Sequence, residues 1–299
     1  MSPLIVGGRT IFGALSSQPT GITTTAGSEY YDTSEGVKKI YDGTSWGSTG
    51  SSAGVNIKGL TGTAMYFDFG NYSGSSWQGN TSATTLTNIQ SSGSSVGVNI
   101  PKGNASYNSS HGGILRGSGT QDARTTISGS NPLGQNISMG IVVKFDSGSD
   151  NVSSPSRGLL YYGNTGSNQH FYVRKNFGVN NNVSVGQDTN GSDTWTEVAT
   201  NYVSNNGFTV FIFNLASDGT LTTSINGASF ATNRSGGGAI SVSGPNVGFF
   251  GDPYNDNSSS FDIGAGFWRT QLTTNDEANN WYTYLKSDYG AGSNRFSLS

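Results

Sequence analysis

The chain has 299 residues, a length that fits one large β-sandwich or two modest domains. Only 11% of the residues are charged and the net charge is −3, whereas 11% are aromatic, a balance that indicates a folded chain and not a disordered one. The 15 lysines and arginines are scattered and form no basic stripe, and no apolar run approaches the roughly 20 residues of a membrane span. We therefore expect neither a nucleic-acid partner nor a membrane-spanning segment.

The N-terminal region predicts a docking segment. Residues 1–28 lack periodicity and contain Gly, Pro and Thr, which predicts an extended arm that becomes ordered only on a partner. Two short aromatic or β-branched runs within 29–46 flank a turn and predict a β-hairpin too small to be stable alone. Residues 47–54 have the composition of a flexible linker. The segment 1–54 is therefore expected to dock onto another protein.

The remainder, residues 55–299, predicts an all-β domain. Short β-type runs recur between turns rich in Gly, Asn and Ser, a pattern typical of a two-sheet antiparallel jelly-roll sandwich. The predicted strands are 64–68, 139–145, 158–162, 171–174, 208–213, 221–225, 247–250 and 261–269. One short C-terminal helix is also predicted, because Thr274 and Glu277 form a capping box and Gly290 supplies a stop signal.

Several motifs of this domain resemble a known family. The segments 66–73 and 105–113 are similar to the opening strands of laminin-G-like, concanavalin A-like modules, the second by its tyrosine, small polar run and Gly-Gly step. The segments 261–269 and 284–290 are similar to the closing strand and the end of the helix of the same modules. The resemblance frames about 60–292 and implies a jelly-roll fold with a lectin-like binding surface.

A second resemblance concerns the hairpin. Its end, Tyr41-Asp42-Gly43-Thr44-Ser45-Trp46, resembles the YDG-x-x-W element of phage tail and virion appendage proteins. Together the two resemblances imply a bacteriophage virion protein displayed on the particle surface, either a capsid decoration protein or a short tail-fibre module. The implied partners are other virion proteins bound through residues 1–54, further copies in a homotrimer and a host surface glycan. Residues 1–8 lack the features of a secretory signal, so synthesis in the host cytoplasm is expected.

Two other functions are compatible with a β-sandwich of this kind. One is a stand-alone glycan-binding adhesin. The other is a glycoside hydrolase, which needs two carboxylates facing each other across the scissile bond. The glutamates stand alone at Glu29, Glu35, Glu197 and Glu277, and no alternating acidic run is present, so the chain is predicted not to be an enzyme. The two histidines lack neighbouring cysteines or paired acids, which argues against a zinc or nucleophilic site.

Two side-chain groups remain as candidate sites. The aromatic residues of the C-terminal region fit a sugar platform or core packing, and helical spacing favours the core for Trp268, Trp281, Tyr282, Tyr284 and Tyr289. Family members carry a cation in a rim loop, and the loop 251–257 suits Ca²⁺, with Asp252, Asp256 and Asn257 as oxygen ligands and Tyr254 as a stacking face for a sugar. The alternative is an ordinary tight turn, because Asp, Asn and Pro favour turns without any metal.

Overall fold

The computed structural model describes most of the chain, and the chain divides into two compact units, Met1–Val55 and Asn56–Ser299. The described residues are 4–6, 9–15, 19, 28–32, 37–41, 46–48, 57–69, 85–89, 96–101, 105–108, 111, 113–117, 123–130, 132–145, 156–164, 167, 169–176, 182–189, 193–199, 207–250, 261–287 and 296–298. Among them, no helix is long and apolar enough to cross a membrane.

The first unit is a five-stranded sheet with the strands in chain order. Its strands are β1 Leu4–Val6, β2 Arg9–Leu15, β3 Glu29–Asp32, β4 Val37–Tyr41 and β5 Trp46–Ser48. The predicted hairpin is confirmed, because β3 and β4 pair antiparallel. The extended arm predicted over 1–28 differs from the structure: β1 pairs with β2, and β2 pairs in parallel with β3. Pairing within the chain satisfies backbone groups that an isolated arm would leave to a partner.

The described residues of the second unit form sixteen strands, a short 3-10 helix at Ile57–Gly59 and one α-helix, α1 Asn275–Ser287. The strands are β6 Thr63–Asp68, β7 Thr85–Thr87, β8 Asn99–Pro101, β9 Ser106–Asn108, β10 Ile114–Arg116, β11 Ala123–Thr126, β12 Ile137–Phe145, β13 Ser156–Asn164, β14 Gln169–Asn176, β15 Val183–Asp188, β16 Asp193–Ala199, β17 Thr209–Leu215, β18 Leu221–Ile225, β19 Ala231–Arg234, β20 Asn246–Phe249 and β21 Phe261–Arg269. Every strand predicted from sequence is present, with bounds within two residues.

Two antiparallel sheets form the sandwich. The eight-stranded sheet has the order β19-β18-β17-β12-β21-β10-β9, and β6 also pairs with β21. The six-stranded sheet has the order β11-β20-β13-β14-β15-β16, and β7 and β8 form a separate two-stranded sheet. All pairings within the two large sheets are antiparallel. The predicted all-β sandwich is therefore confirmed.

The core between the sheets follows the period-2 alternation of the strands. Along β12, Met139 and Ile141 point into this core, whereas Val142 points to the opposite face of the eight-stranded sheet. At the centre, Trp268 is fully buried, and its ring packs edge-to-face with Phe249 at 5.1 Å and Phe67 at 6.0 Å. This contact joins β21 of one sheet to β20 of the other.

The helix α1 covers the outer face of the eight-stranded sheet. Its Trp281 is fully buried and lies 4.9 Å from Phe267, with the rings nearly perpendicular. Core packing, as predicted, is confirmed for Trp268 and Trp281, whereas Tyr289 lies outside the described residues. The predicted capping box is also present: the Thr274 N–H donates to Glu277 Oε2 at 2.8 Å, and the Glu277 N–H donates to Thr274 Oγ1 at 3.2 Å.

A buried arginine ties the helix to the sheet. Arg269, at the end of β21, is 1% exposed and donates from Nη1 to Glu277 Oε2 at 2.8 Å and from Nη2 to Glu277 Oε1 at 3.0 Å. It also donates to Thr273 Oγ1 and to the Thr61 carbonyl, each at 3.0 Å. The helix cap Glu277 therefore also neutralises a buried charge.

Candidate functional site

The predicted calcium loop lies outside the described residues, which include neither the proposed ligands Asp252, Asp256 and Asn257 nor the proposed stacking residue Tyr254. The strands on either side of it, β20 and β21, belong to different sheets. The metal site and the stacking role therefore stay predictions. Among the described residues, no group of three or more His, Cys, Asp or Glu side chains is placed to hold a metal ion.

On the outer face of the six-stranded sheet, one residue from each strand lies directly beside its register partner on the next strand, and together these residues form a row across the sheet. Its members, here called the aromatic row, are Arg124, Gly248, Tyr161, Tyr172, Gly186 and Trp195. The row faces away from the core, because the strand neighbours of Tyr172, Phe171 and Val173, point into the core. Aromatic rings and an arginine thus cross the whole width of the sheet on one face.

The rings of the row pack tightly over a glycine. Tyr172 and Trp195 lie 4.7 Å apart with an interplanar angle of 85°. A Cβ at Gly186, between them in the register, would lie 2.5 Å from the Tyr172 ring and 2.9 Å from the Trp195 ring. Any larger residue at this position would therefore displace one of the two rings. The guanidinium of Arg174 lies 3.1 Å from the centroid of the Trp195 ring, a cation–π contact that further fixes the indole.

Exposure rises along the row toward the edge strand β16. Tyr161 and Tyr172 are fully buried, whereas Trp195 and Arg174 are half-buried and Glu197 is exposed. Arg174 and Glu197 are both register partners of Ser184, so they lie on the same face as Trp195, one row away. We call Trp195, Arg174 and Glu197 the Trp195 edge. It combines an indole ring, a fixed set of hydrogen-bond donors and a carboxylate acceptor.

The two histidines belong to different clusters. His170 on β14 is 2% exposed, and its ring lies 5.0 Å from that of Tyr172, on the face of the aromatic row. The ring of His111 instead packs against Phe208 at 5.0 Å, in contact with the cluster beneath α1. The structure therefore does not bring the histidines together into one site.

The described carboxylates of this face do not form a hydrolase pair. Asp188 pairs with Asp193, and Glu197 pairs with Ser184, four residues earlier on β15. At about 3.3 Å per residue, this separates Asp188 from Glu197 by about 13 Å along the strands. Glycoside hydrolases place their two carboxyl groups about 5–9.5 Å apart. The described side chains Asp188 and Glu197 are therefore too far apart to act as such a pair.

The sequence analysis did not identify the Trp195 edge. A local signal exists, because Asp193, Trp195 and Glu197 alternate with Thr194 and Thr196 in the pattern of a half-exposed strand. What the sequence does not show is which strands lie beside β16. Arg174 reaches Trp195 only because β14 and β16 both flank β15.

Comparisons with known proteins identify the fold. No family model matches the chain, and no curated protein matches it significantly in sequence. Similar solved structures are the receptor-binding domain of botulinum neurotoxin type G (10% identity, TM-score 0.51, covering 76% of this chain and 52% of that one) and the binding domain of botulinum neurotoxin DC in complex with SialylT (13%, 0.52, 78% and 54%). A third is the binding domain of botulinum neurotoxin serotype D/C VPI 5993 (13%, 0.53, 75% and 52%). This chain spans about half the length of these structures, and the likeness shows a shared β-sandwich fold.

Proposed function

We propose that this chain is a non-catalytic, glycan-binding β-sandwich displayed on the surface of a bacteriophage particle. The observation that carries the glycan-binding role is the Trp195 edge, where a half-buried indole lies beside a guanidinium and an exposed carboxylate. An aromatic ring stacks on the apolar face of a sugar, while charged side chains hydrogen-bond its hydroxyl groups. Free sugars carry neither a charge nor a large apolar area, so a protein binds them by stacking a ring on the sugar and by hydrogen-bonding its hydroxyl groups. The Trp195 edge offers groups for both interactions.

The aromatic row makes the Trp195 edge rigid before any ligand arrives. Tyr172 packs against one part of the indole, and Arg174 covers a ring face, so Trp195 has little rotamer freedom left to lose on binding. Preorganisation of this kind raises affinity by lowering the entropy lost on binding. The similar solved structures support the proposal by analogy of fold, since all three are binding domains and one is in complex with SialylT.

The test is a titration of the purified chain with a panel of bacterial surface oligosaccharides by isothermal calorimetry. Trp195→Ala is expected to weaken binding about 30-fold or more, the cost of removing an aromatic hot spot. Tyr282→Ala is the matched control, because Tyr282 is a half-buried aromatic residue on α1, on the far side of the sandwich. Equal affinities for wild type and Trp195→Ala would contradict the proposed site, and no binding to any glycan would contradict the function.

Calcium remains part of the proposal. Asp252, Asp256 and Asn257 would supply oxygen ligands to Ca²⁺, and Tyr254 would stand beside the ion as a second stacking face. The same titration therefore includes a calcium arm and a chelator arm, with Asp252→Ala combined with Asp256→Ala. If millimolar Ca²⁺ gives no heat with the wild type and leaves glycan affinity unchanged, the loop is an ordinary turn.

Display on a virion is proposed from the N-terminal unit. Residues 1–55 form a compact unit with its own five-stranded sheet, an arrangement suited to attachment onto another virion protein or into a homotrimer. Removing residues 1–54 is expected to leave a folded sandwich that no longer joins particles, which quantitative mass spectrometry of purified virions measures. Incorporation of the truncated chain at full occupancy would contradict the anchoring role and leave the stand-alone adhesin as the better description.

A further inference from the structure

The carboxylate of the Trp195 edge is open to solvent. Glu197 is exposed on the edge strand β16, and within the described part of the chain its carboxylate forms no ion pair and no hydrogen bond. An ionised carboxylate only accepts hydrogen bonds, so Glu197 is an acceptor that a ligand can reach. It also places a negative charge beside the indole, in a chain whose net charge is −3.

The cation of the Trp195 edge is already engaged. The Arg174 guanidinium lies 3.1 Å from the centroid of the Trp195 ring, and its Nε is buried. Arg174 and Glu197 are both register partners of Ser184, so an anion that approached the guanidinium would also approach the Glu197 carboxylate. Arg174 therefore serves to fix the indole and does not make the edge a site for anions.

The indole N–H supplies a donor next to this acceptor. Trp195 Nε1 donates no hydrogen bond within the described residues, and its N–H is not buried. A ligand that rests against the ring therefore meets one free donor and, from Glu197, one free acceptor. Hydroxyl groups satisfy both, because a hydroxyl group donates and accepts. A carboxylate on the ligand would only accept, and the charge of Glu197 would repel it.

We propose that the Trp195 edge selects uncharged sugars over acidic sugar derivatives such as uronic acids, and that Glu197 sets this specificity. Its carboxylate accepts a hydrogen bond from a sugar hydroxyl group and repels a sugar carboxylate. The proposal rests on the proposed glycan-binding function and names its substrate class. Two unit charges about 4 Å apart in water repel each other by an energy equivalent to about fivefold in affinity, which is the discrimination expected at low salt.

The test compares each neutral oligosaccharide with the same oligosaccharide after its primary hydroxyl groups are oxidised to carboxylates. The two probes share one carbon skeleton and differ in charge. Calorimetry of the full-length protein at about 10 mM salt is expected to show about fivefold tighter binding of the neutral form. At about 1 M salt the Debye length falls from about 30 Å to about 3 Å, so the preference should fall toward one. Equal or tighter binding of the oxidised form at low salt would overturn the proposal.

A variant assigns the preference to one residue. Glu197→Gln keeps the size of the side chain and one acceptor oxygen but removes the charge, so the preference for the neutral form should fall to about twofold or less. Asp276→Asn is the matched control, because it removes the same charge from an exposed position on α1, which covers the outer face of the other sheet. It should leave the preference at about fivefold. An unchanged preference in Glu197→Gln would show that Glu197 does not set the specificity.

The outcomes separate this proposal from the glycan-binding role on which it rests. If both forms of an oligosaccharide bind the wild type equally at low salt, and Trp195→Ala weakens both, the glycan-binding role stands and the specificity is wrong. If neither form of any oligosaccharide binds, the proposed function fails and the specificity fails with it. A preference that depends on salt and on Glu197 but not on Asp276 supports both.

Discussion

Glu277→Ala is expected to lower the free energy of unfolding by about 3–5 kcal/mol, the range for breaking a buried ion pair by removing one partner. The reason is Arg269, which is 1% exposed and donates two hydrogen bonds to the Glu277 carboxylate. Removing the carboxylate leaves a buried guanidinium without its counter-charge and also removes the bond that Glu277 accepts from the Thr274 N–H in the capping box. Chemical denaturation of the purified chain measures the change.

The matched control is Thr274→Ala, which removes the other half of the capping box but leaves the ion pair in place. Its expected cost is about 1 kcal/mol, the usual value for a lost helix cap. If the two variants are equally stable, Glu277 acts as a cap only, and the ion pair with Arg269 contributes nothing measurable.

The same pair predicts how stability depends on pH. Burial raises the pKa of Glu277, but the hydrogen bonds and charge of Arg269 and the Thr274 N–H lower it more, so the pKa lies below its ordinary value. A carboxyl whose pKa is depressed by folding stabilises the protein above its unfolded pKa, about 4.3 for Glu, and this contribution is lost as the pH falls through the folded value. Stability should therefore fall below about pH 4, and Glu277→Gln should make that fall less steep.

Trp268→Ala is expected to cost about 3–5 kcal/mol, as is typical when a fully buried aromatic side chain is truncated. Trp268 is 0% exposed and packs against Phe67 and Phe249, so the truncation opens a cavity where the two sheets meet. Its Nε1 also donates to the Tyr161 carbonyl at 3.2 Å, a bond that crosses from β21 to β13. The measurement is thermal or denaturant unfolding followed by near-ultraviolet circular dichroism.

Trp268→Phe separates the two contributions. Phenylalanine retains much of the ring packing but cannot donate to the Tyr161 carbonyl, so we expect a smaller loss, about 1–3 kcal/mol. A Trp268→Ala variant that loses less than about 1 kcal/mol would show that the core closes around the gap, contrary to the interior packing observed.

The helix and the long strands were predictable because their signals are local. The capping box joins residues three apart, and the apolar alternation of β12 or β21 is contained within nine residues. The role of Arg269 was not predictable. Its partners Thr61 and Glu277 lie on different elements, and only the packing of α1 on the sheet brings them to one guanidinium.

The candidate site shows the same division. Sequence motifs pointed to the loop 251–257, since acidic and amide residues in a short loop are recognisable without knowledge of the fold. The Trp195 edge depends on strand neighbours instead. Arg174 meets Trp195 across β15.

Alternation, turn composition and helix capping are properties of neighbouring residues, and they specify an all-β chain with one C-terminal helix whatever lies beside each strand. Register and strand order are different, because any of several antiparallel partners satisfies the same backbone hydrogen bonds. The choice among them depends on the summed packing of the core, in which Trp268, Phe67 and Phe249 come from segments up to 201 residues apart. That packing aligns Arg124, Tyr161, Tyr172 and Trp195 in one row and so places Trp195 at the edge where we propose glycan binding.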